Sequence, residues 1–145
     1  MSAPDFYFAN NAMFRHIHDR FGNGALIRYW RELGSTYYRD RALDWREGSM
    51  SDIAADWRSY FQHEPQAQVE VTNNDTSVTL DVAVCPAIKH LRDCGREIVP
   101  YFCDHCDHVT GAMAEMANAR FERTGGMGSC QQKIVRLSIA VHSCF

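Results

Sequence analysis

Residues 68–86 read QVEVTNNDTSVTLDVAVCP. Two alternating runs, Gln68 to Thr72 and Ser77 to Cys85, flank Asn73-Asn74-Asp75, and this combination predicts a β-hairpin. In the second run Val78, Leu80, Val82 and Val84 point one way. Ser77, Thr79, Asp81, Ala83 and Cys85 point the other way, because strand side chains alternate. That parity sets Cys85 on the more polar face, level with Asp81. Pro86 has a fixed φ and no N–H, so it suits the first turn of a short helix that Gly95 ends.

Upstream of the hairpin the period changes to that of helices. Phe14, Ile17 and Phe21 are three and four apart, and Gly22-Asn23-Gly24 breaks the run. Leu26, Trp30, Leu33 and Tyr37 form a second stripe. A third opens at Ser49, with Asp52 three residues on as an approximate capping box, carries Met50, Ile53, Trp57 and Phe61, and closes at Pro65. Aromatic residues on such stripes are expected in the core rather than around a cofactor.

Downstream, Pro100 is read as opening a longer helix that Gly125-Gly126 terminates. On it Cys103, Cys106, Thr110, Met113, Ala117 and Phe121 make an inward stripe, opposite Asp104, His108, Glu115, Asn118 and Glu122. A last strand, Gln131 to Val141, sets Val135, Leu137, Ile139 and Val141 against Ile134, Arg136 and Ser138, with Cys130 in the parity of Arg136. The expected architecture is α+β: N-terminal helices plus a small antiparallel sheet covered by a long helix. One domain spans 1–145, helical over 1–65 and cysteine-bearing over 66–145. If the long helix covers the polar sheet face, the thiols converge there with Asp81 and Arg136.

The 145 residues carry 46% hydrophobic and 23% charged side chains, an ordinary globular balance rather than a disordered one. The net charge is −3, with Lys and Arg scattered, so no basic stripe for nucleic acid is present. No apolar run reaches the roughly 18 residues of a membrane span. The opening MSAPDFYFANN lacks the charged and apolar regions of a signal peptide, and a cytoplasmic location is expected. In a reducing compartment six cysteines point to metal binding, catalysis or burial rather than to disulfides.

The cluster Cys85, Cys103, Cys106 and Cys130 suits three chemistries. It could ligate zinc, with Cys103-x-x-Cys106 giving two sulfurs one helical turn apart and His105 or His108 as substitute ligands. It could supply a nucleophile, for which Cys85 and Cys103 are favoured because each lies at a helix N-terminus. It could simply be buried beside a ligand pocket. Cys94, Cys144 and His142 are read as incidental, and His16 and His18 as solvated or at the core edge. A Cys103–Cys106 redox dithiol fits less well, since a helical segment rather than a strand precedes the motif.

The run DVAVCPAIKHLRDCGREIVPYFCDHCDHV, followed later by GGMGSCQQKIVRL, resembles the L-2-amino-thiazoline-4-carboxylic acid hydrolase family. The shared pattern is a strand ending in Cys-Pro, a helix bearing Cys-x-x-Cys or Cys-x-x-Asp, and a Gly-rich turn leading through Cys into the last strand, over about residues 78–141. Gln131-Gln132 stand where members of that family often carry an aromatic residue. The layout is also loosely similar to 4-vinyl-reductase-type small-molecule-binding domains. The resemblance implies a small-molecule hydrolase that opens a carbon–nitrogen heterocycle, a cyclic amidine, to a carbamoyl amino acid. Cys85, Cys103, Cys106 and Cys130 are the motif positions. On chemical grounds Asp81 would hold a protonated amidine and Arg136 a carboxylate, with His105 as a further substrate contact. The cofactor expectation is none or zinc, and the partner is a small-molecule substrate, with homo-oligomerisation left open. The competing expectation is a non-catalytic binding domain with cysteine-bound structural zinc.

Overall fold

A computed structural model describes residues 3–138. The chain is α+β. Helices α1 (Ala3–Phe21), α2 (Asn23–Glu32), α3 (Arg39–Glu47) and α4 (Met50–Gln62) precede the hairpin of β1 (Gln68–Asn73) and β2 (Ser77–Val84). Helices α5 (Pro86–Asp93) and α6 (Asp104–Met116) follow, then the hairpin of β3 (Ala119–Gly126) and β4 (Ser129–Arg136). The strands form one antiparallel sheet in the order β1-β2-β4-β3. Among the described residues no helix is long and apolar enough to cross a membrane.

Local chemistry accounts for most of these boundaries. The Ser49 side chain accepts the Asp52 N–H, and the Asp52 carboxylate accepts the Ser49 N–H, so α4 begins with a complete capping box. Asn74 Oδ1 accepts the N–H groups of Thr76 and Ser77 and so closes the first hairpin turn. Gly95 follows α5 in the left-handed region, at φ 64°.

The expected helix from Pro100 to Gly125 is half strand. Asn118 adopts φ 55° just after α6, a conformation asparagine tolerates better than most residues, and the chain turns there into β3. Ala119 and Phe121 are therefore strand residues paired with Arg136 and Ile134. Helix α3 was not expected. It follows a π-helical turn, Leu33–Tyr37, whose wider winding carries Tyr37 off the α2 stripe, leaving it 75% exposed against Tyr38. Phe21, last on the α1 stripe, is also exposed. Strand β4 ends at Arg136, short of the expected strand, since Leu137 and Ser138 lie outside it; the remainder to Val141, with Cys144 and His142, lies outside the described residues.

Two cores result. In the first, Val78, Leu80, Val82 and Ile134 of the sheet meet Ile53 and Trp57 of α4 and Met113 and Ala114 of α6. In the second, Phe14, Leu26 and Trp30 meet Ile88, Leu91 and Phe102. Helix α6 thus covers the apolar sheet face, not the polar one. This corrects the expected layering, and the reason is the hydrophobic effect: Val78, Leu80 and Val82 gain from burial and Asp81 does not.

Helix α6 also crosses the π-helical turn closely. A Cβ at Gly34 would fall 2.3 Å from the Val109 carbonyl oxygen and 2.9 Å from Ala112 Cβ. Gly34→Ala is expected to destabilise the chain by about 1–3 kcal/mol through overpacking. Gly111→Ala, on the same helix with nothing within 4 Å of the added carbon, should instead add up to about 1 kcal/mol. Urea denaturation of both variants checks the pair.

Candidate functional site

The cysteines lie along the seam between the two cores. Cys85, the residue before Pro86 at the start of α5, packs against both cores. Cys130, near the start of β4, packs on the sheet core, and Cys103, just ahead of α6, on the helical core. Cys106 stands in the first turn of α6 and is partly accessible. Cys85 and Cys130 each feel the charges of Cys103 and Cys106. Cys94 is exposed at the end of α5, beside His90 Nε2 at 3.7 Å.

Each thiol has its own surroundings. Cys103 Sγ accepts the Met127 N–H at 3.2 Å and lies 3.9 Å from Met127 Sδ. Met127 occupies φ 55° in the turn between β3 and β4, so this sulfur holds the hairpin turn in a conformation costly to a non-glycine residue. Gln132 Nε2 donates to Cys130 Sγ at 3.6 Å and also acts on Cys106. Cys106 Sγ faces His105 Nε2 at 3.6 Å. On the other side of that ring, His105 Nδ1 lies 2.5 Å from the Phe102 carbonyl oxygen.

Burial dominates the electrostatics. It raises Cys85 from 9.0 to about 11 against the opposing Ile88 and Ala87 amides, with Cys106 and Cys103 adding to the rise. These amides give the Cys85 side chain no capping bond. Burial likewise raises Cys106 to about 11, opposed by Arg123 and Gln132, and raises Cys103 and Cys130. The expectation that helix N-termini make Cys85 and Cys103 low-pKa thiols is therefore corrected. A macrodipole term of about 0.3–1 kcal/mol loses to the desolvation of a thiolate.

Arg123 is the residue that sequence reading missed. Its guanidinium binds Asp107 in two bonds, Nε to Oδ1 at 2.9 Å and Nη2 to Oδ2 at 2.7 Å, and reaches Asp104 at 3.6 Å. It opposes the pKa rise of all three seam thiols nearest α6 and β4. The helix expected up to Gly125 conceals it; as a strand residue opposite Gln132, it shares the inner face with Cys130.

Two further site expectations change. Asp81 is exposed on the outer sheet face, where Gln131 Nε2 donates to it at 2.8 Å. It borders an open hollow of about 820 Å³ with Glu70, Gln131 and Cys130. Arg136 lies on the inner face and caps α3: its guanidinium donates to the carbonyls of Trp45, Arg46 and Gly48 at 3.1–3.2 Å. Asp81 and Arg136 therefore share neither a face nor a pocket. Register explains this: Asp81 pairs with Gln131, one residue out of phase with Cys130.

A second groove, of about 400 Å³, opens on Cys85 and is lined by Lys89, Arg92, Met127 and Gly128. Lys89 is paired with Asp93. Near Cys85 the Tyr7 hydroxyl is buried without a partner in hydrogen-bond geometry, although Glu64, after burial, contributes to raising its pKa. Among the described residues no three His, Cys, Asp or Glu side chains are arranged to hold a metal ion. The donor set as placed does not fit zinc.

No protein-family model matches the chain. No curated protein matches it either. Among solved structures it is similar to a mutant H-NOX protein from K. algicida in the Fe(II) unliganded state, at 14% identity and a TM-score of 0.30, over 98% of this chain and 66% of that one.

Two outcomes follow from this geometry. Arg136→Ala should lower stability by about 1.5–3 kcal/mol, the range for hydrogen bonds that involve a charged group, and leave carboxylate affinity unchanged; calorimetry of unfolding and of ligand binding separates the two. Stability should also fall as pH rises from about 9 to about 11, because the unfolded thiols release protons there while folded Cys85 and Cys106 retain them. Urea midpoints across this range check the slope, which the double variant Cys85→Ala, Cys106→Ala should flatten.

Proposed function

We propose that the chain is a small-molecule hydrolase that opens a carbon–nitrogen heterocycle of the cyclic-amidine kind, using a thiol of the seam. The observation that carries this reading is the gathering of Cys85, Cys103, Cys106 and Cys130 along the seam between two cores, with a groove opening on Cys85. The resemblance of residues 78–141 to the aminothiazoline-carboxylate hydrolases supports the same chemistry.

In this reading the ligand enters through the groove over Cys85. Arg92, which lines it, takes the carboxylate role that Arg136 cannot fill. The amidine carbon, electrophilic when its nitrogen is protonated, then approaches the thiols behind Cys85. Cys103 already holds the Met127 turn, which makes it a structural thiol. Zinc enters no step.

The full chain should turn over a cyclic amidine carboxylate such as 2-aminothiazoline-4-carboxylate, followed by chromatography and mass spectrometry. One single Cys→Ser variant among Cys85, Cys106 and Cys130 should lose about 100-fold or more in kcat while keeping ligand affinity and Tm. Arg92→Ala should raise KM with little change in kcat. Absence of turnover by the wild-type chain, or near-normal turnover by every variant, would assign the cluster to packing.

A further inference from the structure

We propose that Cys106 and His105 form a nucleophile–base pair, with the Phe102 carbonyl as the group that orients the base. The inference rests on the hydrolase reading for its substrate but not for its test. A carbonyl oxygen only accepts, so the 2.5 Å contact from His105 Nδ1 to Phe102 requires the proton on Nδ1. Nε2 is then a bare acceptor in the neutral ring, and it faces Cys106 Sγ at 3.6 Å. The ring cannot turn away freely, because Phe14 and Phe102 lie against it at centroid distances of 5.6 and 5.1 Å. Nucleophile, base and orienting acceptor in this order are the arrangement on which cysteine and serine nucleophiles depend, independent of fold.

Burial keeps His105 neutral and Cys106 protonated, so the pair stores its proton on sulfur and passes it only when a bond forms. The groups acting on the pair are Asp104 and Asp107 of the α6 stretch, Arg123 of β3 and Gln132 of β4. Cys103, Cys85 and Cys130 at the seam, and Tyr60 from α4, are coupled to Cys106. In the step, Sγ bonds to the amidine carbon as its proton moves to Nε2 and the C=N π pair moves onto nitrogen. The tetrahedral adduct then breaks its ring carbon–heteroatom bond, the leaving heteroatom taking the proton from Nε2. Water adds to the resulting thioimidate, giving one proton to Nε2 as the C=N π pair moves onto nitrogen; the carbonyl then forms as the carbon–sulfur bond breaks, the hydroxyl proton passing to that nitrogen and the thiol regaining its proton from Nε2.

The test is alkylation of the full chain by iodoacetamide at pH 7, with the modified peptides quantified by mass spectrometry. Cys106 should react about 100-fold more slowly in His105→Gln than in the wild type, the lower end of what a positioned base supplies. The exposed Cys94 is the internal control and should react equally in both. Equal Cys106 rates in the two folded chains would overturn the pair. If His105→Gln fails to fold, nitrogen-15 NMR of the wild-type histidines decides instead: a His105 ring protonated on Nδ1 upholds the pair, and one protonated on Nε2 overturns it. His105-dependent alkylation without turnover of any cyclic amidine would uphold the pair and overturn the hydrolase reading.

Discussion

Helix α6 is needed by both cores, and its position constrains everything at the seam. One side gives Met113 and Ala114 to the sheet core, and Val109 packs on the helical core. Small residues make the fit: Gly34 lets the π-helical turn approach the α6 backbone, and Ala112 leaves room beneath it. Packed interiors tolerate little displacement, so a helix fixed from two sides fixes its first turn as well. That first turn carries Cys106 and follows Cys103. The bidentate bond from Arg123 to Asp107 adds a polar tie between α6 and β3 at the same end.

The chemistry available at the seam follows from what this packing does to charge. Removing a thiol from water penalises the thiolate, and the guanidinium that acts on the seam thiols offsets this only in part. Arg123 is already engaged by Asp107 and Asp104, and Asp107 itself pushes Cys106 upward. Resting thiolates are thereby disfavoured at Cys85 and Cys106, and a seam thiol acts only where its proton has somewhere to go. Among the described residues, His105 Nε2 is the ring nitrogen set against a seam sulfur. Cys103 and Cys130 are occupied differently, one by the Met127 amide and the other by the Gln132 amide.

The role of Arg136 shows how a side chain of the right type can serve another purpose. Sequence alone makes it a carboxylate receptor because a guanidinium suits that task. In the fold it meets the carbonyls at the end of α3, which need donors at a helix end. Arg92, on the exposed face of α5, lines the groove over Cys85 instead.

Residue pattern alone is enough for the elements whose signals are local. The alternation of Val78, Leu80, Val82 and Val84, the Asn74 turn, the Ser49–Asp52 box and Pro86 at a helix start each act over a few residues, and each appears in the fold as read. Tertiary structure decided the rest. The stretch from Ala117 to Phe121 fits a helical stripe as well as a strand, and pairing with β4 chose the strand once Asn118 had turned the chain. The face that α6 covers was set by which sheet surface gained more from burial. The register of β2 against β4 then placed Cys130 and Asp81 on opposite faces. The pairing of His105 with Cys106 needed the Phe102 carbonyl and two aromatic rings to orient one imidazole, which no spacing of residues along the chain encodes.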